Sequence, residues 1–186
     1  MADDLAALVS EARAAAASAQ QTFGHLTAEQ LNWKPAPDAW SVAQCFDHLI
    51  TINAGYFPIM QSLARGTYKP SWKTRLPLLP RLFGSLVLGA VQPQAKRKLK
   101  ADPRFLPSSS AIGSDIIARF VSHQADIIAH MQKTAGVPLR KVIVTSPVAS
   151  FVTYSLYDAY RIIVTHERRH MAQARRVMEH AQFPRA

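Results

Sequence analysis

Proline placement limits what this chain can fold into more than any other feature. Proline fixes φ, removes a backbone donor and restricts the residue before it, so long helices must fit between the twelve prolines. The first gap holds residues 3–23, where Leu5, Leu8, Val9, Ala12, Ala16, Ala19 and Phe23 recur at helical spacing in an alanine-rich stretch. That pattern predicts a long amphipathic helix ending at Gly24. Residues 27–32 read as one short helical turn, with Thr27 and Gln30 at capping-box spacing. Pro35 and Pro37 then force an extended link. Ser41 and Gln44 repeat the capping-box spacing, with Trp40 just outside as a hydrophobic staple. A second helix over about 42–64 follows, kinked at Pro58 and closed by Gly66.

Residues 67–110 carry six prolines, Pro70, Pro77, Pro80, Pro93, Pro103 and Pro107. They leave room for a short helix at about 81–92 and a brief basic turn around Lys96. The stretch 78–91 is strongly apolar and flanked by Arg75, Arg81, Lys96, Arg97 and Lys98. The expected role is to cover a pocket mouth or form a subunit contact; contact with a membrane surface is not expected. Ser114 is placed to cap a third helix over about 115–134, with Ile116, Ile117, Phe120, Ile127, Ile128 and Met131 on its apolar side. Gly136 and Pro138 end it. Residues 142–144 form a β-branched, extended run, and a last helix spans about 151–179. Four long helices with almost no strand predict an all-α four-helix bundle. The basic, proline-rich segment 67–110 becomes a long crossover insertion between helices two and three of a single domain, 1–186.

Composition sets aside several classes. Apolar residues make up 48% and charged residues 18%, as in globular proteins rather than disordered ones. Cys45 is the one cysteine, so no intrachain disulfide can form. The N-terminal stretch places acids where a signal peptide has basic residues, and no apolar run reaches the roughly 18–20 residues of a spanning helix. A cytoplasmic setting is the expectation. The formal charge of +10 invites a nucleic-acid reading, but from Arg65 to Arg104 there are ten Lys/Arg against one acid, Asp102. The excess is local, and no RNP-like, zinc-finger or helix-turn-helix pattern accompanies it. Nucleic acid is not an expected partner.

The chemistry sits in histidines. His166 and His170 lie one helical turn apart, so both imidazoles project from one face. His48 stands two turns into the second helix. If that helix neighbours the last, the three form the open site that a catalytic divalent metal needs. Such an ion would act as a Lewis acid, lowering the pKa of a bound water or thiol. Asp158, Gln44 and Gln173 are candidates to orient the second ring nitrogens. His166 to His170 also spells H-E-x-x-H, with Glu167 in the place of a protease general base. The extended motif fails, since Gln173 stands where a glycine belongs and Arg176 where a third histidine belongs, and a bundle lacks the sheet that shapes a peptide cleft. Glu167 reads instead as a surface partner of nearby arginines, and it remains, with Asp158, a weak catalytic candidate. Cys45 reads as a small core residue. Arg168, Arg169, Arg175 and Arg176 make a basic face, either simply solvated or attracting an acidic substrate.

Trp40-Ser41, Asp47-His48-Leu49 seven residues on, and His166-x-x-x-His170 with Gln173 together give the chain a resemblance over most of its length. It resembles the DinB/YfiT-like superfamily of metal-dependent enzymes. The resemblance implies a four-helix bundle, a three-histidine site for zinc or nickel, and frequent homodimers. Related proteins include S-transferases and isomerases using low-molecular-weight thiols. For this chain it implies a small-molecule transferase or hydrolase, with a thiol as cosubstrate. The alternative is a non-enzymatic, metal-stabilised binding or stress-related dimer. The basic insertion departs from the family pattern, and with it any carried-over pocket shape.

Overall fold

The computed structural model describes residues 2–75, 78–94, 105–107 and 111–185. The long helices are α1 (Ala2–Phe23), α3 (Val42–Ala54), α6 (Ile116–Lys133) and α7 (Leu156–Met178), with shorter α2 (Ala28–Asn32), α4 (Phe57–Ala64) and α5 (Leu79–Ala90). A short 3-10 turn, Trp72–Arg75, precedes α5. The architecture is all-α, and the strands of the described residues amount to one small hairpin. In the bundle α1 packs on α6 and α7, and α3 packs on α6 and α7. None of the helices among the described residues is long and apolar enough to cross a membrane.

Both capping boxes form. Thr27 Oγ1 accepts from the Gln30 amide and Ser41 Oγ from the Gln44 amide, while each glutamine carbonyl accepts from the cap residue's own amide. Each such cap is worth about 1 kcal/mol. Elsewhere the boundaries differ from the sequence reading. The second helix does not run through to residue 64 with a kink. It breaks at Gly55–Tyr56 and resumes as α4 with Pro58 in its first turn, where a proline sacrifices no hydrogen bond. Ser114 does not cap α6; Asp115 holds the N-cap position and makes no side-chain cap bond. The last helix starts at Leu156 rather than 151, because β1 (Ile143–Thr145) pairs antiparallel with β2 (Thr153–Ser155), Val144 opposite Tyr154. Ser155 then caps α7 by accepting from the Asp158 amide at 3.0 Å. Helix α5 starts at Leu79, two residues earlier than expected, with Pro80 in its first turn. The basic turn around Lys96 lies outside the described residues.

The core divides in two along the bundle. One cluster gathers Leu5, Leu8, Met60, Ile127, Met131, Tyr154 and Tyr160; the other gathers Phe23, Phe46, Leu49, Phe120, Met171 and Ala174. Phe46 anchors the second, edge-on to Phe23 at 5.1 Å and to Phe120 at 5.0 Å. Between the clusters, on α3, α6 and α7 respectively, stand Asn53, Gln124 and Glu167, all buried. This polar layer sits one helical turn beyond His48 on α3 and shares α7 with the other two histidines.

Candidate metal centre

The histidines meet because their helices do. The Ser41 cap sets the start of α3 and so the direction in which His48 leaves it. His166 and His170 leave the adjoining face of α7, stacked by the four-residue spacing. One ring nitrogen from each of the three lies within 4.8 Å of the other two. Nε2 of His166 and Nε2 of His170 are 2.9 Å apart. Two nitrogens bound to one ion at about 2.0–2.1 Å stand roughly 2.9–3.4 Å apart, so this pair already has the separation of a ligand edge. His48 and His170 are buried, and His166 is half-buried.

The environment keeps the rings neutral. Burial lowers His48 below the usual imidazole range, partly offset by the Phe105 carbonyl. Burial, then repulsion from His48 and Arg169, takes His166 down to about 3. His170 lies well below its ordinary value for the same reasons, with His166 the closest source of repulsion. Neutral imidazole is the form that offers a lone pair to a cation. The Phe105 carbonyl also sorts the two nitrogens of His48. It stands 2.5 Å from Nδ1 and can only accept, so Nδ1 carries the proton and Nε2 keeps its lone pair. Phe105 belongs to the segment 67–110, which therefore reaches the site directly. A neutral, all-nitrogen, triangular donor set fits a borderline divalent ion such as zinc or nickel.

Trp40 forms one wall. Its ring stacks on His170 at 5.4 Å, with planes 18° apart, and tilts over His48 at 4.9 Å. In the sequence Trp40 serves as a staple ahead of the Ser41 cap and as part of the family resemblance, and neither use placed its ring against the histidines.

The remaining candidates lie elsewhere. Glu167 is no surface partner of arginines: it is fully buried, and its Oε1 accepts from Asn53 at 2.8 Å and Gln124 at 2.7 Å. Its carboxyl is pushed up to about 7 by burial, against the lowering effect of the two amides. Its position one residue after His166 turns it into the bundle, toward α3 and α6, and not toward the ring nitrogens. Asp158 sits in the first turn of α7, where it accepts from Ser155 Oγ at 2.7 Å and pairs with Arg161 at 3.5 Å. Neither carboxylate belongs to the donor group found among the described residues. Gln44 uses its side-chain carbonyl in the α3 cap. Gln173 is near enough to favour a charged His170, yet His170 Nδ1 is buried without a hydrogen bond of good geometry. Cys45 is buried and its thiol is pushed up to about 12, which leaves it inert. Three arginines of the basic face on α7 are engaged: Arg168 with Glu11, Arg169 with the carbonyls of Ala90 and Gln92, and Arg175 with Ser18 Oγ. Two surface hollows, one lined by Leu63, Tyr68 and Ile143 and the other by Ala14, Val164 and Met171, include none of the three histidines.

The sequence model of the DinB superfamily matches residues 11–174, a span that takes in all three histidines and Trp40. The chain belongs to the DinB superfamily. The match takes in part or all of every long helix of this DinB protein, and the histidine cluster falls within the family's own framework. No curated protein and no solved structure matches the chain.

Proposed function

We propose that this DinB protein is a metal-dependent enzyme in which His48, His166 and His170 hold one divalent cation, zinc or nickel. The observation that carries the reading is the convergence of three imidazole nitrogens from two helices within 4.8 Å. A cation held there supplies Lewis acidity to a bound small molecule. The residues around it do the rest. Phe105 and the Ser41 cap orient His48, Trp40 keeps water from one side, and half-buried His166 marks the side open to a substrate. The reaction class is a small-molecule transfer or hydrolysis with a low-molecular-weight thiol as cosubstrate, on the strength of the family resemblance.

Metal analysis of protein purified without a histidine tag tests the reading. The expected result is one equivalent of divalent metal in wild type and none in His48→Ala. Protein that stays metal-free after equilibration with zinc, nickel and manganese overturns it. A second reading, in which the metal only stabilises the fold, draws on the lack of any carboxylate in the donor group. It requires that metal raise the melting temperature while thiol-dependent turnover is absent.

A further inference from the structure

Helix α5 is apolar on almost every side; Arg81 is its one charged residue. A helix of that kind normally lies buried all round. Here only one side is covered. Pro80, Gly84 and Leu88 are buried against β2 and α7. The approach at Gly84 is close: a Cβ there would stand 3.0 Å from the Asp158 carboxylate. At the other end, the Arg169 guanidinium holds the Ala90 and Gln92 carbonyls at 3.0 and 2.9 Å. So α5 is fixed on the bundle by its inner side. Its outer side carries Leu78, Leu82 and Leu86 at four-residue spacing, 80%, 53% and 59% exposed. Phe151, 65% exposed, extends the patch through its ring contact with Phe83 at 6.4 Å.

Charge selects what covers this stripe. Ten Lys/Arg and a single acid lie between Arg65 and Arg104, on a chain of net charge +10. Arg65, Lys69 and Arg81 are exposed. A second copy would bring like charge against like charge, whereas an anionic lipid surface is complementary. With only twelve residues, α5 is far too short to span a bilayer and suits the interface plane. We propose that the outer side of α5 docks on an anionic bilayer, Leu78, Leu82 and Leu86 entering the headgroup–acyl boundary while exposed Arg81 beside them meets lipid phosphates. The sequence reading ranked membrane contact of this cation-flanked apolar stretch below a pocket cover or a subunit contact; the exposed leucine stripe is what favours the bilayer here.

Flotation of the full chain with vesicles of phosphatidylcholine, with and without phosphatidylglycerol, tests this. The expected result is binding to phosphatidylglycerol-containing vesicles, weakened about tenfold or more in the Leu82→Ser/Leu86→Ser double variant, whose exposed positions leave the helical circular dichroism unchanged. Binding that falls with salt but is equal in wild type and double variant overturns the role of α5, since charge alone then explains it. Absence of binding also overturns it. So does a dimer in sedimentation equilibrium that the double variant dissolves, which would assign the stripe to a second copy.

Discussion

Glu167→Gln isolates the energy stored in the buried polar layer. In the folded chain the carboxyl is held at about 7 against an ordinary 4.5. Between those values the folded state keeps a proton that the unfolded state has released, so this group makes stability fall as pH rises through the window and stay low above it. At about 1.36 kcal/mol per pKa unit, the loss by pH 8 is about 3 kcal/mol. Glutamine keeps an oxygen where Oε1 accepts from Asn53 and Gln124, and it has no charge to bury. The amide nitrogen placed at Oε2, which has no partner, adds an offset that does not depend on pH. Urea denaturation of both proteins with chelator, from pH 4.5 to 8, reads the difference. The stability of the variant relative to wild type should climb by about 3 kcal/mol across the window, which for a chain of this size corresponds to roughly 6–12 °C in Tm. The histidine contributions are common to both proteins and cancel. Parallel curves from pH 4.5 to 8 would refute the buried-carboxyl account.

Other outcomes follow from the same geometry. The three site histidines are depressed below the ordinary 6.5, so metal affinity should fall well under the roughly thousandfold that three unperturbed imidazoles would lose on going from pH 7.5 to 5.5; isothermal titration at the two pH values checks it. The same depression means that the metal-free protein loses stability as pH drops below 6.5, where the unfolded state takes up protons that the folded state refuses. Phe46→Ala should cost about 3–5 kcal/mol in denaturant unfolding, since its ring fills the contact between Phe23 and Phe120. Ser41→Ala should cost about 1 kcal/mol and also weaken metal binding, because it loosens the start of the helix that carries His48. Nickel should quench tryptophan fluorescence in wild type and far less in Trp40→Phe, given the ring stacked on His170.

Much of the bundle is legible in the sequence. Alanine-rich periodicity marked α1, and the Thr27 and Ser41 boxes marked the starts of α2 and α3, because caps are local chemistry. The His166–His170 pair was equally local. The break at Gly55 was not, since proline at position 58 is compatible with either a kinked helix or the first turn of a new one. The β2 strand was hidden because residues 153–155 pair with a partner ten positions away, and only that pairing holds them out of α7. Glu167 misled for a similar reason. Among arginines it reads as solvated, and nothing in a linear string brings Asn53 and Gln124 to it. Phe105 contributes a backbone carbonyl, which no side-chain pattern can announce, and the stacking of Trp40 on His170 depends on packing that neither its staple position nor the family resemblance reveals.

The proposed function requires one ion among three rings, and diffraction at the absorption edge of a soaked metal sees that ion directly. With zinc or nickel, an anomalous peak bonded to nitrogens of His48, His166 and His170 is the predicted result. A soaked crystal with no peak between α3 and α7, or with its peak on other residues, contradicts it.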